Sequence, residues 1–283
     1  MEFFLWLTTI IADETNPNRN IPEWNLDNEG EINNLNMDIS ARRATDKFRR
    51  KKLFHLASKL QARTDIMQMT VTECNICGAI RRNWQNNILK DITVRKEPPV
   101  QTLVYALGLD TGPKSKEEID EYGCESCGEK ARDGTAKVKK AEKGYFLATS
   151  WRYQVWLPDY LWISLSRYNS GLEKIETTYT FPEKGVDLSS VFAPPDPDVE
   201  DYPLPRQQKG PFLYDVYAVI QHGGRSIQGG HYWTIARSFD KKNAASKWHK
   251  FNDSTVTPTT FAETQTSNTS GIFLIRQGAP LFL

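Results

Sequence analysis

The sequence predicts an α+β fold: antiparallel sheet for most of its length, with the longest helices at the N-terminal end. Three observations carry this. Before Gln61, apolar residues recur at helical spacing, first as Phe3, Phe4, Leu7, Ile10 and Ile11, then as Phe48, Leu53, Leu56 and Leu60. From Asp65 onward the pattern turns to strands, including the continuous apolar run Leu161-Trp162-Ile163-Ser164-Leu165. Near the C-terminal end, Tyr232, Thr234 and Ala236 alternate with His231, Trp233 and Ile235, the period of a half-buried strand.

Composition sets the bounds. The 283 residues are enough for one large domain or two small ones, and 39% apolar with 25% charged residues is ordinary for a soluble globular chain. A net charge of +1 supplies no global attraction to nucleic acid or to membrane surfaces. No apolar run reaches the roughly 18 to 20 residues that a membrane span needs, and Phe3–Ala12 lacks the basic flank and cleavage site of a signal peptide.

Taken in order, Glu2–Asp13 reads as a buried helix that begins abruptly at Met1, which leads us to expect a preceding segment. Thr15–Ser40 is a polar loop, and Ala41–Gln61 a helix whose basic run Lys47–Lys52 reads as a solvated face. Asp65–Thr93 is strand-like, Val100–Leu107 and Ser115–Tyr122 read as short helices, and Leu161–Tyr168 as a central strand. Ser170–Leu188 reads as a strand and turn, and the proline-rich Val191–Gly210 as a surface loop. Tyr214–Ile220 returns to strand, the glycine-rich loop His222–Gly230 delivers His231, and Ser270–Arg276 is a last buried strand.

All four cysteines fall in two Cys-x-x-Cys-Gly pairs, Cys74/Cys77 and Cys124/Cys127. Each has the form of a zinc knuckle, in which the glycine lets backbone amides approach the thiolates. Four thiolates suit one structural zinc ion in a reducing compartment, cytoplasmic or nuclear. The pairs are far apart in sequence, so the segment between them must leave and return, bringing both knuckles to the tip of an extended hairpin.

His231 and Asn252 flank the polar segment Ser238–Lys247. In an antiparallel hairpin centred between Lys241 and Lys242 they would face each other on one side of the sheet. An imidazole held by an amide oxygen is the orienting half of a Cys-His-Asn hydrolase. The other reading of the same spacing is an exposed hairpin with an incidental histidine.

These segments together resemble the ubiquitin-specific proteases, the papain-like deubiquitinases. Glu2-Phe3-Phe4-Leu5 is similar to the family's Gln-Glu-Phe-Leu helix, and the two cysteine pairs to its zinc-bearing fingers. Leu157-Pro158 through Arg167-Tyr168 resembles its Leu-Pro-x-x-Leu-x-Ile-x-Leu-x-Arg-Phe strand, and Tyr214–Ile220 with His222-Gly223 its Tyr-x-Leu-x-Ala-Val-x-x-His-x-Gly. Gly229-Gly230-His231-Tyr232 resembles the histidine box and Trp248–Val256 the Asp/Asn box.

The resemblance implies a papain-like fold, with residues 1–62 as the remaining thumb helices and loop, 63–150 as zinc-binding fingers and 151–283 as the palm. It implies hydrolysis after the C-terminal glycine of ubiquitin on ubiquitinated proteins, by a monomer that binds neither nucleic acid nor membrane. His231 would be the base, Asn252 its orienting partner, and Asp253 a lesser contact, since alternation turns its side chain to the opposite face. Gly229, Gly230, His222 and Tyr232 would receive the ubiquitin tail; His55 and His249 are structural or solvated. The family's nucleophilic cysteine lies N-terminal to the Glu-Phe-Leu helix, and here every cysteine belongs to a knuckle. We therefore expect a truncated gene model without its nucleophile; the alternative is an inactive ubiquitin-binding homologue acting as a scaffold.

Overall fold

The computed structural model describes residues 61–127, 146–191, 210–226, 229–238 and 247–280. The expected helices Glu2–Asp13 and Ala41–Gln61, with its basic run, lie outside the described residues apart from the terminal Gln61. So do the loop Thr15–Ser40, most of Val191–Gly210 and most of Ser238–Lys247. The described chain begins with one helical turn, α1 (Gln61–Thr64), tied to the rest by an ion pair of 3.5 Å between Arg63 and Asp159.

Two sheets carry the architecture. The first is the antiparallel order β2-β1-β6-β5, formed by β1 (Ile66–Cys74), β2 (Ile80–Asn87), β5 (Gly112–Tyr122) and β6 (Phe146–Trp156). Strand alternation in β1 sorts its residues: Met67, Met69 and Val71 are buried on one face beside Trp151, Tyr153 and Val155. The polar residues between them face the other way, where Gln68 Oε1 accepts hydrogen bonds from Lys90 Nζ (3.4 Å) and Gln154 Nε2 (3.3 Å). On that side lies a cavity of about 560 Å³ at the base of the sheet. Lys90, almost wholly buried, is neutralised there by Asp110, which also pairs with Arg152.

The expected helix Ser115–Tyr122 is part of β5. Its Lys and Glu residues favour helix in isolation, but β6 offers an edge for pairing, and tertiary pairing outweighs that weak preference. Ser115 completes the ladder by accepting the Arg152 N–H at 2.9 Å and donating to Gly112 O at 2.8 Å. The expected helix Val100–Leu107 starts later. Val100–Thr102 forms β4, and Thr102 caps α2 (Leu103–Leu109) by accepting the Tyr105 N–H at 3.1 Å.

The second sheet has the order β13-β12-β11-β10-β14-β7-β3, with β9 (Val186–Asp187) pairing beside β10. Its strands are β3 (Leu89–Thr93), β7 (Tyr160–Ser166), β10 (Leu213–Ser226), β11 (Gly229–Arg237), β12 (Trp248–Asn252), β13 (Thr255–Thr259) and β14 (Thr269–Arg276). The apolar run of β7 is central, as its composition predicts: β14 pairs on one side and β3 on the other. The β3–β7 pair is parallel, departing from the antiparallel expectation. Between the two strands the chain makes its excursion through α2, β5 and β6, and a long crossover of this kind is what parallel pairing requires. Ser170–Leu188 contributes β8 (Thr178–Thr180), parallel to β4, and β9.

Beneath the second sheet, Leu161, Ile163, Tyr214, Val216, Ile272 and Leu274 form the main core with α2. Arg167, at the end of β7, is 1% exposed, and its guanidinium is held by carbonyls: Nη1 donates to Ile175 O (3.0 Å) and Thr177 O (2.6 Å), and Nε to Thr269 O. Burial brings its pKa down to about 10, so it stays charged at neutral pH and braces three segments together. The outermost strand β13 is exposed along its length and carries Pro258 opposite His249. Among the described residues no helix is long and apolar enough to cross a membrane.

Candidate active site and metal centre

The cysteine knuckles meet at the far end of the first sheet. Cys74 ends β1, the turn after it leads to β2, and Cys124 and Cys127 follow β5, so strand pairing brings distant positions together. Gly78 has φ +70, a left-handed conformation, and its N–H donates to Cys74 O at 2.8 Å to close the first knuckle. Gly128, its counterpart, lies outside the described residues. The four Sγ atoms lie within 4.8 Å of one another, with Cys74–Cys127 at 3.7 Å and Cys77–Cys124 at 3.6 Å. Four sulfurs about 2.3 Å from one tetrahedral ion stand about 3.8 Å apart, so the donor set fits zinc. As thiols, Cys124 and Cys127 are pushed up by burial. For Cys77, burial acts upward but the Ala79 backbone and neighbouring thiols outweigh it, and the net shift is down.

At the other end of the molecule, β10 and β11 form a hairpin in which Gly223 pairs with His231 and His222 with Tyr232. The expected loop His222–Gly230 is strand on both sides: β10 runs to Ser226 and β11 starts at Gly229. Glycines suit this stretch because the strands enclose a ring. His222 is 4% exposed, its Nδ1 lies 2.7 Å from the Tyr168 hydroxyl, and its ring stacks on Tyr232 with centroids 4.3 Å apart. A Cβ on Gly230 would overlap His222 Nε2, whereas one on Gly229 would meet nothing within 4 Å. Of the four expected tail-binding residues, His222 is buried, while Gly229, Gly230 and Tyr232 are exposed, Gly230 with its backbone against the His222 ring. His222 is a buried strand residue, not part of an exposed loop. Burial, then the nearby Lys174 ammonium, holds its pKa below the usual histidine value.

Three residues that the sequence does not single out complete this cluster. Tyr168 meets the imidazole, and Lys174 Nζ donates to His222 O (2.9 Å) and Asn268 Oδ1 (2.7 Å). Asn268 O in turn accepts the His222 backbone N–H at 2.8 Å. The one available signal was Tyr168, which closes the Arg-Tyr end of the β7 motif.

His231 and Asn252 come together on one face of the sheet, with His231 Nε2 hydrogen-bonded to Asn252 Oδ1. The register differs from direct opposition. Thr234 faces Phe251, so Asn252 comes level with Trp233 and lies diagonal to His231. A slip of two residues keeps the face, which is why the pairing survives it. Since an amide oxygen only accepts, Nε2 carries the proton and Nδ1 of the neutral ring is left as a base. Half of the His231 side chain is exposed, so a reactant can reach it.

Asp253 departs from expectation. Asn252 pairs with Thr255 across the two-residue turn Asp253-Ser254, and Asp253 has φ +52. The turn breaks strand alternation, so the carboxylate comes to 3.8 Å from His231 Nε2, where alternation predicted the opposite face. Beside this trio, Trp233 stacks on His231 (centroids 6.2 Å, interplanar angle 24°) and Lys250 Nζ lies 4.8 Å from the indole centroid. His249 lies in β12 and is half-buried; His55 is outside the described residues.

Comparison with known proteins places these features. A family profile described as ubiquitin carboxyl-terminal hydrolase matches residues 32–275. Human ubiquitin carboxyl-terminal hydrolase 3 is 30% identical over 202 residues, covering 66% of this chain and 33% of its own length. Ubiquitin carboxyl-terminal hydrolase 12 of Saccharomyces cerevisiae is 29% identical over 180 residues, covering 62% of this chain and 12% of its own. The chain therefore spans a third or less of these relatives. A solved structure of the yeast SAGA DUBm with a mutant Sgf73 superposes with TM-score 0.55 at 15% identity, covering 77% of this chain and 42% of that one. That likeness is one of fold.

Proposed function

The chain belongs to the ubiquitin carboxyl-terminal hydrolase family, and on that premise we propose that His231 and Asn252 serve a cysteine-type deubiquitinase site. The observation that carries the reading is the hydrogen bond from His231 Nε2 to Asn252 Oδ1 on an accessible sheet face. It fixes the ring with Nδ1 free to take a proton from a cysteine thiol. The thiolate attacks the carbonyl carbon of ubiquitin's C-terminal glycine, and the leaving amine takes the proton back from Nδ1. Water then attacks the thioester carbonyl, giving a proton to Nδ1; the C–S bond breaks, the sulfur leaves as thiolate beside the imidazolium, and ubiquitin departs with a free carboxylate. Asn252 orients the ring throughout without accepting a proton. Asp253, at 3.8 Å, is a secondary electrostatic partner of the imidazolium.

All four cysteines stand in the cluster at the far end of the fingers sheet. Bound zinc would hold that tip together as four thiolates and take no part in proton transfer. Hydrolysis thus needs a thiol that is not among these 283 residues, and this polypeptide by itself binds ubiquitin without cutting. The same cysteine inventory is compatible with a second reading, a ubiquitin-binding scaffold. The thiolate-rich centre suits the cytoplasm or nucleus.

The test uses purified 283-residue chain, ubiquitin, and ubiquitin bearing a C-terminal fluorophore. The expected result is saturable ubiquitin binding with no release of fluorophore. Release, abolished by His231→Ala, would refute the assignment of the cysteines; lack of ubiquitin binding would refute the function.

A further inference from the structure

On the face that carries His231 and Asn252, one indole stacks on the imidazole. Trp233 follows His231 by two residues in β11, and the register brings Asn252 level with it, the cross-strand position where side chains on one face meet. The indole leans toward Gly223, the partner of His231: a Cβ there would lie 3.0 Å from Trp233 Cζ3 and 3.2 Å from Cη2. On the β12 side the indole is met by the Lys250 ammonium. It is therefore held from both neighbouring strands and lies nearly parallel to the His231 ring.

We propose that Trp233 is a positioning residue for His231, holding the imidazole in the orientation in which Nε2 donates to Asn252 and Nδ1 remains the base. This rests on the proposed catalytic role of the pair. The imidazole is half exposed, and one hydrogen bond leaves it free to rock about the Nε2–Asn252 axis. The indole face removes that freedom on the flank next to the core, where Trp233 packs against the buried cluster. Offset aromatic pairs at this centroid separation attract each other beyond simple burial. The Lys250 cation reinforces the arrangement by fixing the indole rather than the imidazole. Gly223 leaves room for this seat, since a Cβ there would press on the indole edge.

The readout is the ratio of Nε2–H to Nδ1–H tautomers of neutral His231, from ¹⁵N spectra of histidine-labelled full chain, with the signal assigned by its loss in His231→Ala. Asn252→Ala sets the limit of a lost hydrogen bond, expected to lower the ratio by roughly two- to tenfold, equivalent to about 0.5–1.5 kcal/mol. Trp233→Leu keeps apolar volume without a ring face and is expected to lower it by roughly two- to fivefold, while Trp233→Phe restores it to within about twofold. Equal ratios in folded Trp233→Leu, Trp233→Phe and parent chains would overturn the proposal. A loss of thermal stability with no change in ratio, the mark of a merely structural residue, overturns it as well. No ubiquitin enters the measurement, so failure of the chain to bind ubiquitin would refute the function and leave this result readable.

Discussion

Gly230→Ala separates two reasons for the glycine pair before His231. If Gly229 and Gly230 only leave room for an extended tail, adding a methyl group to either weakens ubiquitin binding and leaves folding alone. The structure predicts an asymmetry. A Cβ at Gly230 would overlap the His222 Nε2 atom, lie 2.7 Å from its Cε1 and 2.8 Å from Gly223 O, all closer than real carbon contacts. The imidazole cannot swing aside easily, because Tyr168 holds its Nδ1 and Tyr232 covers its face. The backbone oxygen cannot move without parting β10 from β11. Overpacking of this kind costs about 1–3 kcal/mol, which for a chain of this size lowers the melting temperature by roughly 2–10 °C. Gly229→Ala meets nothing within 4 Å and should fall within about 0.5 kcal/mol of the parent. Adding His222→Ala to Gly230→Ala removes two of the three clashes, so the double variant should be less destabilised than the two single changes summed. Thermal melting of the four proteins decides the matter: equal melting temperatures for Gly229→Ala and Gly230→Ala would refute the packing argument.

Three further outcomes follow from the same geometry. Metal analysis should find one zinc per chain, and Cys127→Ser should lose it, with the cysteines alkylated only after chelation; four freely reactive thiols in the purified protein would contradict the fit. Stability should fall on acidification because burial, aided by Lys174, holds His222 below the ordinary value of 6.5. A base held low in the fold protonates more readily when unfolded. Its contribution is complete above pH 6.5 and lost as pH falls toward the folded value, at about 1.4 kcal/mol per unit of depression. His222→Gln should therefore shrink the difference in melting temperature between pH 7.5 and 5.5, and an unchanged difference would argue against it. Finally, in the tautomer spectra Asp253→Asn should move His231 less than Asn252→Ala does, because the carboxylate stands 3.8 Å away and is 80% exposed; the reverse order would exchange their roles.

Much of this site was legible in the sequence because strand parity survives small errors. His231 and Asn252 share a face whether the register is direct or offset by two, so the wrong centre of the hairpin did no harm. Parity misled at Asp253, where a positive φ in a two-residue turn reverses the side-chain direction, and nothing in Asn-Asp-Ser-Thr announced which residue would take it. The stretch Gly223-Gly224…Gly229-Gly230 looked like a loop because glycines usually mark one. Here they mark a place where two strands close over an imidazole, which only the pairing of His222 with Tyr232 reveals. Ser115–Tyr122 was misread for the opposite reason, its charged residues stating a local preference that the β6 edge overrules. The four-cysteine cluster needed no three-dimensional information beyond the two cysteine pairs.

Pro258 carries a consequence for the molecule in company. Among the described residues, the sheet that holds His231 ends at β13, five residues of Thr, Val and Pro with no charge among them, a composition prone to recruiting strands from other chains. The proline ring has no N–H to offer, so an incoming strand finds a donor missing at the fourth of the five residues. The sheet is thereby capped against growth at the margin nearest His231 and Asn252. A single replacement, Pro258→Thr, should raise the tendency to self-associate, read by light scattering, while leaving His231 and Asn252 untouched.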